Sequence, residues 1–217
     1  MYNELLKRAA SSLILIPLAL FFIIKGSYFF TFFIVISFLI ASYEWHSMSK
    51  KKSYYYFGFI FLIFSFFSIY WIRIYENTYE IILFVLIACI FTDIGGYIFG
   101  KIFNGPKLTK ISPNKTYSGV VGGYLLSILG IYFFSIKFLY DQFTINYLLI
   151  CIFISTISQI GDIIISYFKR LSNIKDTGNL IPGHGGILDR IDGMIFAFPA
   201  LYFVMNYSGY LKYYFEF

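Results

Sequence analysis

The sequence has little charge, since 13% of its 217 residues are Asp, Glu, Lys or Arg whereas 59% are hydrophobic. A soluble domain carries about 25% charged residues. The mean hydropathy of +0.74 points in the same direction. The composition therefore excludes an ordinary soluble domain and predicts an integral membrane protein, built as a single domain over residues 1–217.

Cysteine is also scarce, and acidic residues are outnumbered by basic ones. Cys89 and Cys151 each lie in an apolar run and are far apart in the sequence. Two such thiols argue against a disulfide framework, and nothing in the sequence indicates a zinc site. The net charge is +6. In a membrane protein this excess is typical of cytoplasmic loops beside anionic lipids, so we expect no nucleic-acid partner.

Seven apolar runs are candidates for membrane spans, each of which needs roughly 20 residues. They lie at about 9–24, 27–44, 54–72, 80–99, 119–136, 145–167 and 188–206. The first run is short and contains Pro17, and the last begins with charged residues. Because no small-x-small cleavage site follows the first run, we expect a retained helix there. The predicted fold class is all-α and polytopic, with about seven spans and a range of six to eight.

The basic residues predict the orientation of these spans. With a cytoplasmic N-terminus, thirteen of the 17 Lys and Arg residues lie in cytoplasmic segments and four lie outside. Lys and Arg favour the cytoplasmic side, so the loops at about 100–118 and 168–188 are predicted to be cytoplasmic and the C-terminus to lie outside. Glu44, Trp45 and His46, at the end of the second run, are interpreted as an interfacial anchor.

The stretch from Ser166 to Asp192 concentrates polar chemistry in this apolar chain. Cations can bind phosphate, carboxylates can bind a divalent metal ion, and glycines let a ligand approach the backbone. The cations are Lys169, Arg170, Lys175 and Arg190, the carboxylates are Asp176, Asp189 and Asp192, and the glycines are Gly178, Gly183, Gly185 and Gly186, with His184 among them. This combination is typical of a nucleotide site, in which we expect the four cations to bind phosphate.

Two apolar runs carry a carboxylate at membrane depth, which is costly and indicates function. Asp93 shares a helix face with Gly96, Tyr97 and Gly100, although a helix-packing face is the alternative. The sixth run carries a polar stripe that must line a cavity or pack against polar partners, and hydrogen bonding between helices is the alternative for its Ser and Gln residues. The stripe consists of Ser155, Ser158, Gln159, Asp162, Ser166 and Lys169.

A metal site follows from these carboxylates. Asp162 needs a cation, which is either a metal ion or Lys169 on the same stripe. We predict Asp162 and Asp189 as ligands of Mg²⁺ or another divalent cation, with Asp192 and Asp93 as further candidates. A helix is expected to begin after Gly186, and its dipole and free N–H groups would attract phosphate.

Three stretches resemble the signature of the phosphatidate cytidylyltransferase family, whose members are also called CDP-diacylglycerol synthases. The main one joins Ser-x-Phe-Lys-Arg, Lys-Asp, Pro-Gly-His-Gly-Gly and Asp-Arg-Ile-Asp within residues 166–192. The others are residues 92–97 with Gly100 and Lys101, and residues 112–119. The resemblance covers roughly residues 80–205.

The resemblance implies a bacterial inner-membrane enzyme with several spans and an active site facing the cytoplasm. Its reaction would convert CTP and phosphatidate into CDP-diacylglycerol and pyrophosphate, with Mg²⁺ as cofactor. CTP, phosphatidate and the lipid bilayer are the implied partners, and a homodimer is compatible with them. The implied catalytic residues are Lys169, Arg170, Lys175, Asp176, His184 and Arg190, and the implied substrate-binding residues are Ser112, Lys115, Thr116, Ser166, Gly183, Gly185 and Gly186.

Two other functions stay open at this point. A related membrane nucleotidyltransferase or lipid kinase would use a different lipid or nucleotide, which a CTP-dependent assay separates. An ion or phosphate transporter would also carry acidic residues inside the membrane. Transporters commonly have two halves with matching broken helices, and the sequence has no such pairing.

Overall fold

A computed structural model describes residues 2–75, 79–139, 143–180 and 185–207. Apart from an isolated antiparallel bridge between Lys107 and Thr116 and a bridge residue at Gly185, the regular secondary structure of these residues is helical. A π-helical turn, Ser135–Leu139, follows the fifth helix. The predicted all-α class is confirmed. The helices are α1 (Tyr2–Lys25), α2 (Ser27–Ser49), α3 (Tyr55–Tyr75), α4 (Glu80–Phe103), α5 (Tyr117–Phe134), α6 (Ile145–Leu171), α7 (Leu188–Ile191) and α8 (Met194–Tyr207).

The described helices also confirm a membrane protein with several spans. Two shorter apolar helices, Leu15–Lys25 and Met194–Asn206, overlap with the first and last predicted runs. The count of about seven spans therefore stays a prediction. Five helices are long and apolar enough to cross a membrane, by length and composition: Ser27–Ser49, Tyr55–Ile74, Glu80–Phe103, Tyr117–Phe138 and Ile145–Leu171.

The last predicted run, 188–206, is divided into α7 and α8 rather than forming one helix. Asp189 and Arg190 belong to the four-residue helix α7, Asp192 follows it, and the apolar helix α8 begins only at Met194. Between them lies Gly193, where a Cβ atom would collide with the hydroxyl of Ser158. The charged part of the run is therefore separate from its apolar part.

The chain falls into two compact units, each built from two segments. The first unit comprises Met1–Tyr79 and Phe168–Asp192, and the second comprises Glu80–Tyr167 and Gly193–Phe217. The expectation of a single domain over residues 1–217 stays a prediction, and the two units are described separately below.

In the second unit, α4 and α5 approach closely through glycines. A Cβ atom on Gly95 would collide with the carbonyl of Gly122, and one on Gly119 would lie 2.8 Å from the carbonyl oxygen of Gly96. A side chain at either position would push the helices apart. The glycines of α4 therefore allow a neighbouring helix to pack closely, one of the two roles that the sequence suggested for this helix face.

The same unit contains a buried ladder of hydroxyl groups. Thr92 on α4 donates to Ser155 on α6 over 2.9 Å, and Ser155 donates to Ser127 on α5 over 2.9 Å. All three residues are buried. Hydrogen bonding between helices, the alternative for the polar stripe, is thus correct for Ser155. Further along α6, Gln159 and Asp162 of the polar stripe line a cavity.

In the first unit, aromatic contacts fix the segment that follows α6. Trp45 on α2 packs edge-on against Phe168, with ring centroids 5.5 Å apart, and its Nε1 donates to the carbonyl of Tyr55 over 3.0 Å. Tyr54 and Ser172 are joined by a hydroxyl–hydroxyl hydrogen bond of 2.8 Å. The end of α2 and the start of α3 therefore hold the beginning of the charged segment 168–192.

The glycine contacts lead to a prediction about stability. Gly95→Ala should lower the free energy of unfolding by about 1–3 kcal/mol, because the added methyl group meets backbone that cannot move independently. Gly96→Ala is the matched control one residue further along α4. Its Cβ would lie 3.8 Å from the nearest atom, the carbonyl oxygen of Gly119. That variant should be as stable as the wild type, or more stable by up to about 1 kcal/mol, because alanine favours helix.

Unfolding of both variants in detergent can be followed by dye labelling of the buried thiols of Cys89 and Cys151. Equal unfolding midpoints for Gly95→Ala and Gly96→Ala would contradict the close packing of α4 on α5.

Candidate functional site

A cavity of about 310 Å³ lies in the second unit and collects polar side chains from three separate stretches of sequence. Helix α4, the loop before α5 with the first turn of α5, and helix α6 each contribute to its wall. Predicted site residues from all three stretches meet here, which is the main agreement between sequence and structure. The lining residues are Thr92, Asp93, Gly96, Tyr97, Leu108, Ser112, Asn114, Lys115, Thr116, Gly119, Val120, Gln159, Asp162 and Ile163.

In the wall of this cavity, an ion pair joins Lys115 of the loop before α5 to Asp162 of α6. The Nζ atom of Lys115 lies 2.5 Å from Oδ2 of Asp162, and both side chains are about a quarter exposed. Ser166, one turn further along α6, donates to Oδ1 of Asp162 over a long 3.3 Å. The carboxylate of Asp162 is thus neutralised by Lys115 from the loop. Lys169, the partner that the helical stripe suggested, bonds Asp189 instead.

Backbone hydrogen bonds hold the loop that carries Lys115. The N–H of Leu108 donates to the carbonyl of Lys115 over 2.8 Å, and the N–H of Lys115 donates to the carbonyl of Ser112 over 3.0 Å. Thr116 caps α5, since its hydroxyl accepts from the N–H of Gly119 over 3.1 Å. Such a cap contributes roughly 1 kcal/mol to helix stability. Thr116 therefore has a structural role in addition to its place in the cavity wall.

Gln159 is a cavity residue that the sequence analysis placed on the polar stripe but did not include among the site residues. Its Nε2 atom is buried and has no hydrogen-bond partner among the described residues. A buried donor without a partner is costly, so this amide is well placed to bind a ligand in the cavity. Asn114 was likewise missed, although it lies inside a recognised motif. Asp93 lines the cavity together with other polar side chains, which gives its charge a polar environment on the apolar helix α4.

A second charged cluster, in the first unit, is centred on Asp189. Its Oδ1 accepts from Nζ of Lys169 over 2.9 Å. Its Oδ2 accepts from the N–H groups of Thr177 and Gly186, over 2.7 and 3.0 Å, and from the hydroxyl of Thr177 over 3.0 Å. Asp192 adds a second, more distant carboxylate 3.9 Å from Lys169. Asp189 and Asp192 therefore face the same cation.

The electrostatics of Asp189 follow from these contacts. Burial raises the pKa of its carboxyl group, but the hydrogen bond and charge of Lys169 and the backbone donors of Gly186 and Thr177 outweigh burial. The net effect is a pKa below the ordinary value. Asp189 is therefore held as a carboxylate by the protein itself.

The expectation that free N–H groups after Gly186 attract phosphate is wrong. The N–H of Gly186 donates to Asp189, and those of Ile187 and Leu188 donate to Glu44 over 2.9 and 2.8 Å. Two carboxylates of the protein occupy these donors. Glu44 is also not an interfacial anchor, because only 3% of it is exposed. A glutamate at the end of an apolar run gives no sequence signal for such a contact.

The remaining predicted residues of this segment differ in their surroundings. Arg170, Lys175, Asp176 and Arg190 are exposed, and Arg170 donates to the carbonyl of Ile174 over 3.0 Å. Gly185 has a φ of +84°, which favours glycine at that position. Gly183 and His184 lie outside the described residues.

The four aspartates predicted as metal ligands fall into two pairs. Asp93 and Asp162 line the cavity of the second unit, whereas Asp189 and Asp192 surround Lys169 in the first. Within the described ranges, no group of three or more His, Cys, Asp or Glu residues could hold a metal ion by itself. The metal-binding role of these aspartates stays a prediction.

The buried cluster predicts how stability responds to mutation and to pH. Asp189→Asn should lower the free energy of unfolding by about 3–5 kcal/mol, because it leaves the buried ammonium of Lys169 without its closest partner. Asp176→Asn, which changes an exposed carboxylate in the same segment, should alter it by less than about 0.5 kcal/mol. Denaturant unfolding in detergent micelles measures both.

Because the pKa of Asp189 is lowered in the folded protein, its stabilising effect is present above the ordinary carboxyl value of 3.8 and is lost as the pH falls through the folded value. The stability difference between wild type and Asp189→Asn should therefore shrink on acidification. A difference that is independent of pH would contradict this account of the cluster.

Comparison with known proteins agrees with the motifs. The model of the cytidylyltransferase family matches residues 53–208, which include every predicted site residue from Asp93 to Asp192. A Bacillus subtilis (strain 168) protein named phosphatidate cytidylyltransferase is 42% identical over 129 residues, which are 56% of this chain and 47% of that protein. Proteins of the same name are 38% identical in Staphylococcus saprophyticus over 180 residues (77% and 66%) and 42% identical in Rickettsia felis over 131 residues (56% and 58%). The chain spans about half to two thirds of the length of these relatives.

Proposed function

The chain belongs to the cytidylyltransferase family, and we propose that it is a phosphatidate cytidylyltransferase. In this proposal it converts CTP and phosphatidate into CDP-diacylglycerol and pyrophosphate for phospholipid biosynthesis. One observation carries the proposal: a single cavity brings together Asp93 and the Ser112–Thr116 loop, from two of the family-like motifs, and Asp162, from the polar stripe of α6.

The lining of the cavity suits a phosphate ester. Lys115 supplies a positive charge, and the hydroxyl groups of Ser112 and Thr116 and the unpaired amide of Gln159 supply neutral donors. Apolar groups such as Val120 and Ile163 share the same wall. A cavity with both kinds of lining supports one substrate that arrives from water and one that arrives from the bilayer.

The proposed reaction balances as a displacement at phosphorus. A phosphate oxygen of phosphatidate attacks the α-phosphorus of CTP, and the bond from that phosphorus to the pyrophosphate oxygen breaks. Negative charge accumulates on the transferring and leaving groups, and ammonium and guanidinium groups stabilise it. Lys115 is the cation of the cavity, and the exposed Arg170, Lys175 and Arg190 are the candidates in the first unit.

In this proposal a magnesium ion would be held in the cavity, with substrate phosphates completing its coordination. Mg²⁺ prefers oxygen ligands and usually binds one or two carboxylates together with phosphates and water. Asp162 and Asp93 are the carboxylates of this cavity, and Ser112 and Thr116 offer further oxygens. Asp189 fits less well, since its side chain is 3% exposed against 29% for Asp162, and its Oδ2 alone accepts three hydrogen bonds. When bound, the ion would offset charge on the phosphates.

We also propose that the protein crosses the bacterial inner membrane about seven times, with its active site facing the cytoplasm. The five long apolar helices and the two shorter ones support this count. The distribution of Lys and Arg supports the orientation.

The assay of the purified protein in detergent uses phosphatidate, Mg²⁺ and CTP labelled on either the α- or the γ-phosphate. We expect the α label to enter the lipid and the γ label to leave in pyrophosphate, with no product after chelation of the metal. Transfer of the γ label to lipid would instead identify a lipid kinase. Lys115→Met should lower kcat/KM by about 100- to 1000-fold, as for loss of a group that stabilises transition-state charge.

Lys110→Met is the matched control, since Lys110 is an exposed lysine of the same loop outside the cavity wall. Equal activity of the two lysine variants would refute the cavity as the reaction site.

The orientation is tested by labelling single cysteines with a membrane-impermeant reagent. Lys51→Cys and Asn179→Cys, at exposed positions, should react from the cytoplasmic side, and Lys137→Cys should react from the outside. The native thiols of Cys89 and Cys151 are buried, which keeps the background low. Reaction of Asn179→Cys only from the outside would overturn the proposed cytoplasmic site.

A further inference from the structure

A buried carboxylate at the end of α2 binds the glycine-rich segment that follows α6. Oε1 of Glu44 accepts from the N–H of Ile187 over 2.9 Å. Its Oε2 accepts from the N–H of Leu188 over 2.8 Å and from the hydroxyl of Thr177 over 3.1 Å. We propose that Glu44 is a positioning residue, which holds Thr177 and residues 186–188 in the arrangement that nucleotidyl transfer requires. This inference rests on the proposed function.

Glu44 is buried and therefore needs hydrogen-bond donors. Glu44 is 3% exposed, and it takes part in none of the ion pairs found among the described residues. A buried carboxylate without donors would be very costly. Its three donors are the hydroxyl of Thr177 and the N–H groups of Ile187 and Leu188, so the carboxylate and these residues stabilise each other. Loss of either leaves buried polar groups unpaired.

Two glycines of the segment make room for this carboxylate. A Cβ atom on Gly178 would lie 3.1 Å from Oε1 of Glu44, and one on Gly186 would collide with Oε2 and with the hydroxyl of Thr177. The sequence suggests that such glycines let a substrate approach the backbone. In the structure they let Glu44 approach it, so an anion of the protein itself occupies this part of the glycine-rich segment.

Thr177 connects Glu44 to the charged cluster. Its hydroxyl lies 3.1 Å from Oε2 of Glu44 and 3.0 Å from Oδ2 of Asp189, and its single proton can serve one carboxylate at a time. Asp189 in turn bonds Lys169 over 2.9 Å. A change at Glu44 therefore reaches the ammonium of Lys169 through Thr177 and Asp189.

The position of Glu44 is well defined because the next residue, Trp45, is held by contacts of its own. Trp45 is buried, packs against Phe168 and donates to the carbonyl of Tyr55. The end of α2 is thereby held at two points independent of Glu44. Glu44 also precedes residues 53–208, the range matched by the family model. The proposed positioning residue thus lies in a part of the chain that precedes the range matched by the family model.

The experiment compares Glu44→Gln with Glu80→Gln, the same change at a glutamate in the first turn of α4 that takes part in none of the ion pairs found among the described residues. The amide side chain of Glu44→Gln can still accept from the N–H of Ile187, but it turns an NH₂ group toward the donors of Leu188 and Thr177. Trypsin cleavage after the exposed Lys175 and Arg190, measured without substrate, should accelerate by about ten-fold or more. Cleavage after Lys50 should not change, and Glu80→Gln should behave as the wild type.

Kinetics supply the measurement that a purely structural role would not affect. With activity expressed per folded protein, Glu44→Gln should lower kcat by about ten- to 100-fold, because catalytic groups are misplaced. The KM for CTP should change by less than about three-fold, since the exposed cations remain. Thr177→Val, which keeps the volume but removes the connecting hydroxyl, should shift both measurements in the same direction. It also serves as the test if Glu44→Gln does not fold.

The proposal is overturned if Glu44→Gln is cleaved at the wild-type rate, or if its loss of activity equals its loss of folded protein. If the wild type forms no labelled lipid from phosphatidate and CTP, the proposed function fails. The cleavage rates, which need no substrate, then decide by themselves whether Glu44 anchors the segment.

Discussion

Compensation of buried charge is the constraint on which this structure depends. The chain is largely apolar, so a carboxylate or ammonium group removed from water needs a partner nearby. Lys169 meets Asp189, Lys115 meets Asp162, and Glu44 meets backbone N–H groups of the segment that it touches. These contacts determine where the loops lie, because each joins residues far apart in the sequence.

The charged groups of the two units are compensated to different degrees. Around Asp189 both carboxylate oxygens accept hydrogen bonds, and the side chain is 3% exposed. In the cavity of the second unit, Asp162 and Lys115 are about a quarter exposed and Gln159 retains an unpaired amide. The saturated cluster is suited to holding a shape, whereas the cavity is suited to receiving a ligand. This difference supports placing phosphate binding in the cavity and a positioning role at Glu44.

Glycine serves two purposes in this chain, and both are forms of close approach. On α4 and α5, glycines bring two helices together, and a methyl group at Gly95 would separate them. In the segment after α6, Gly178 and Gly186 admit the carboxylate of Glu44. A sequence pattern rich in glycine indicates that something comes close, but it does not indicate whether the neighbour is a ligand, a helix or a side chain of the same protein.

The sequence by itself determined the all-helical membrane class, the family and the charged residues of the cavity wall, Asp93, Lys115 and Asp162. Apolar runs are local in the sequence, the motifs around Asp93 and Ser112 can be recognised one at a time, and Asp162 stands out as a carboxylate within an apolar run. Only the tertiary structure decided which residues pair. The helical stripe suggested Lys169 for Asp162, but a loop some fifty residues earlier supplies Lys115. Glu44 was unpredictable for the same reason, since its partners lie more than 130 residues away. The helical periodicity of a sequence shows on which face of the helix a residue lies. The partner that neutralises its charge is the group that the fold brings to that face, and this group can come from any part of the chain.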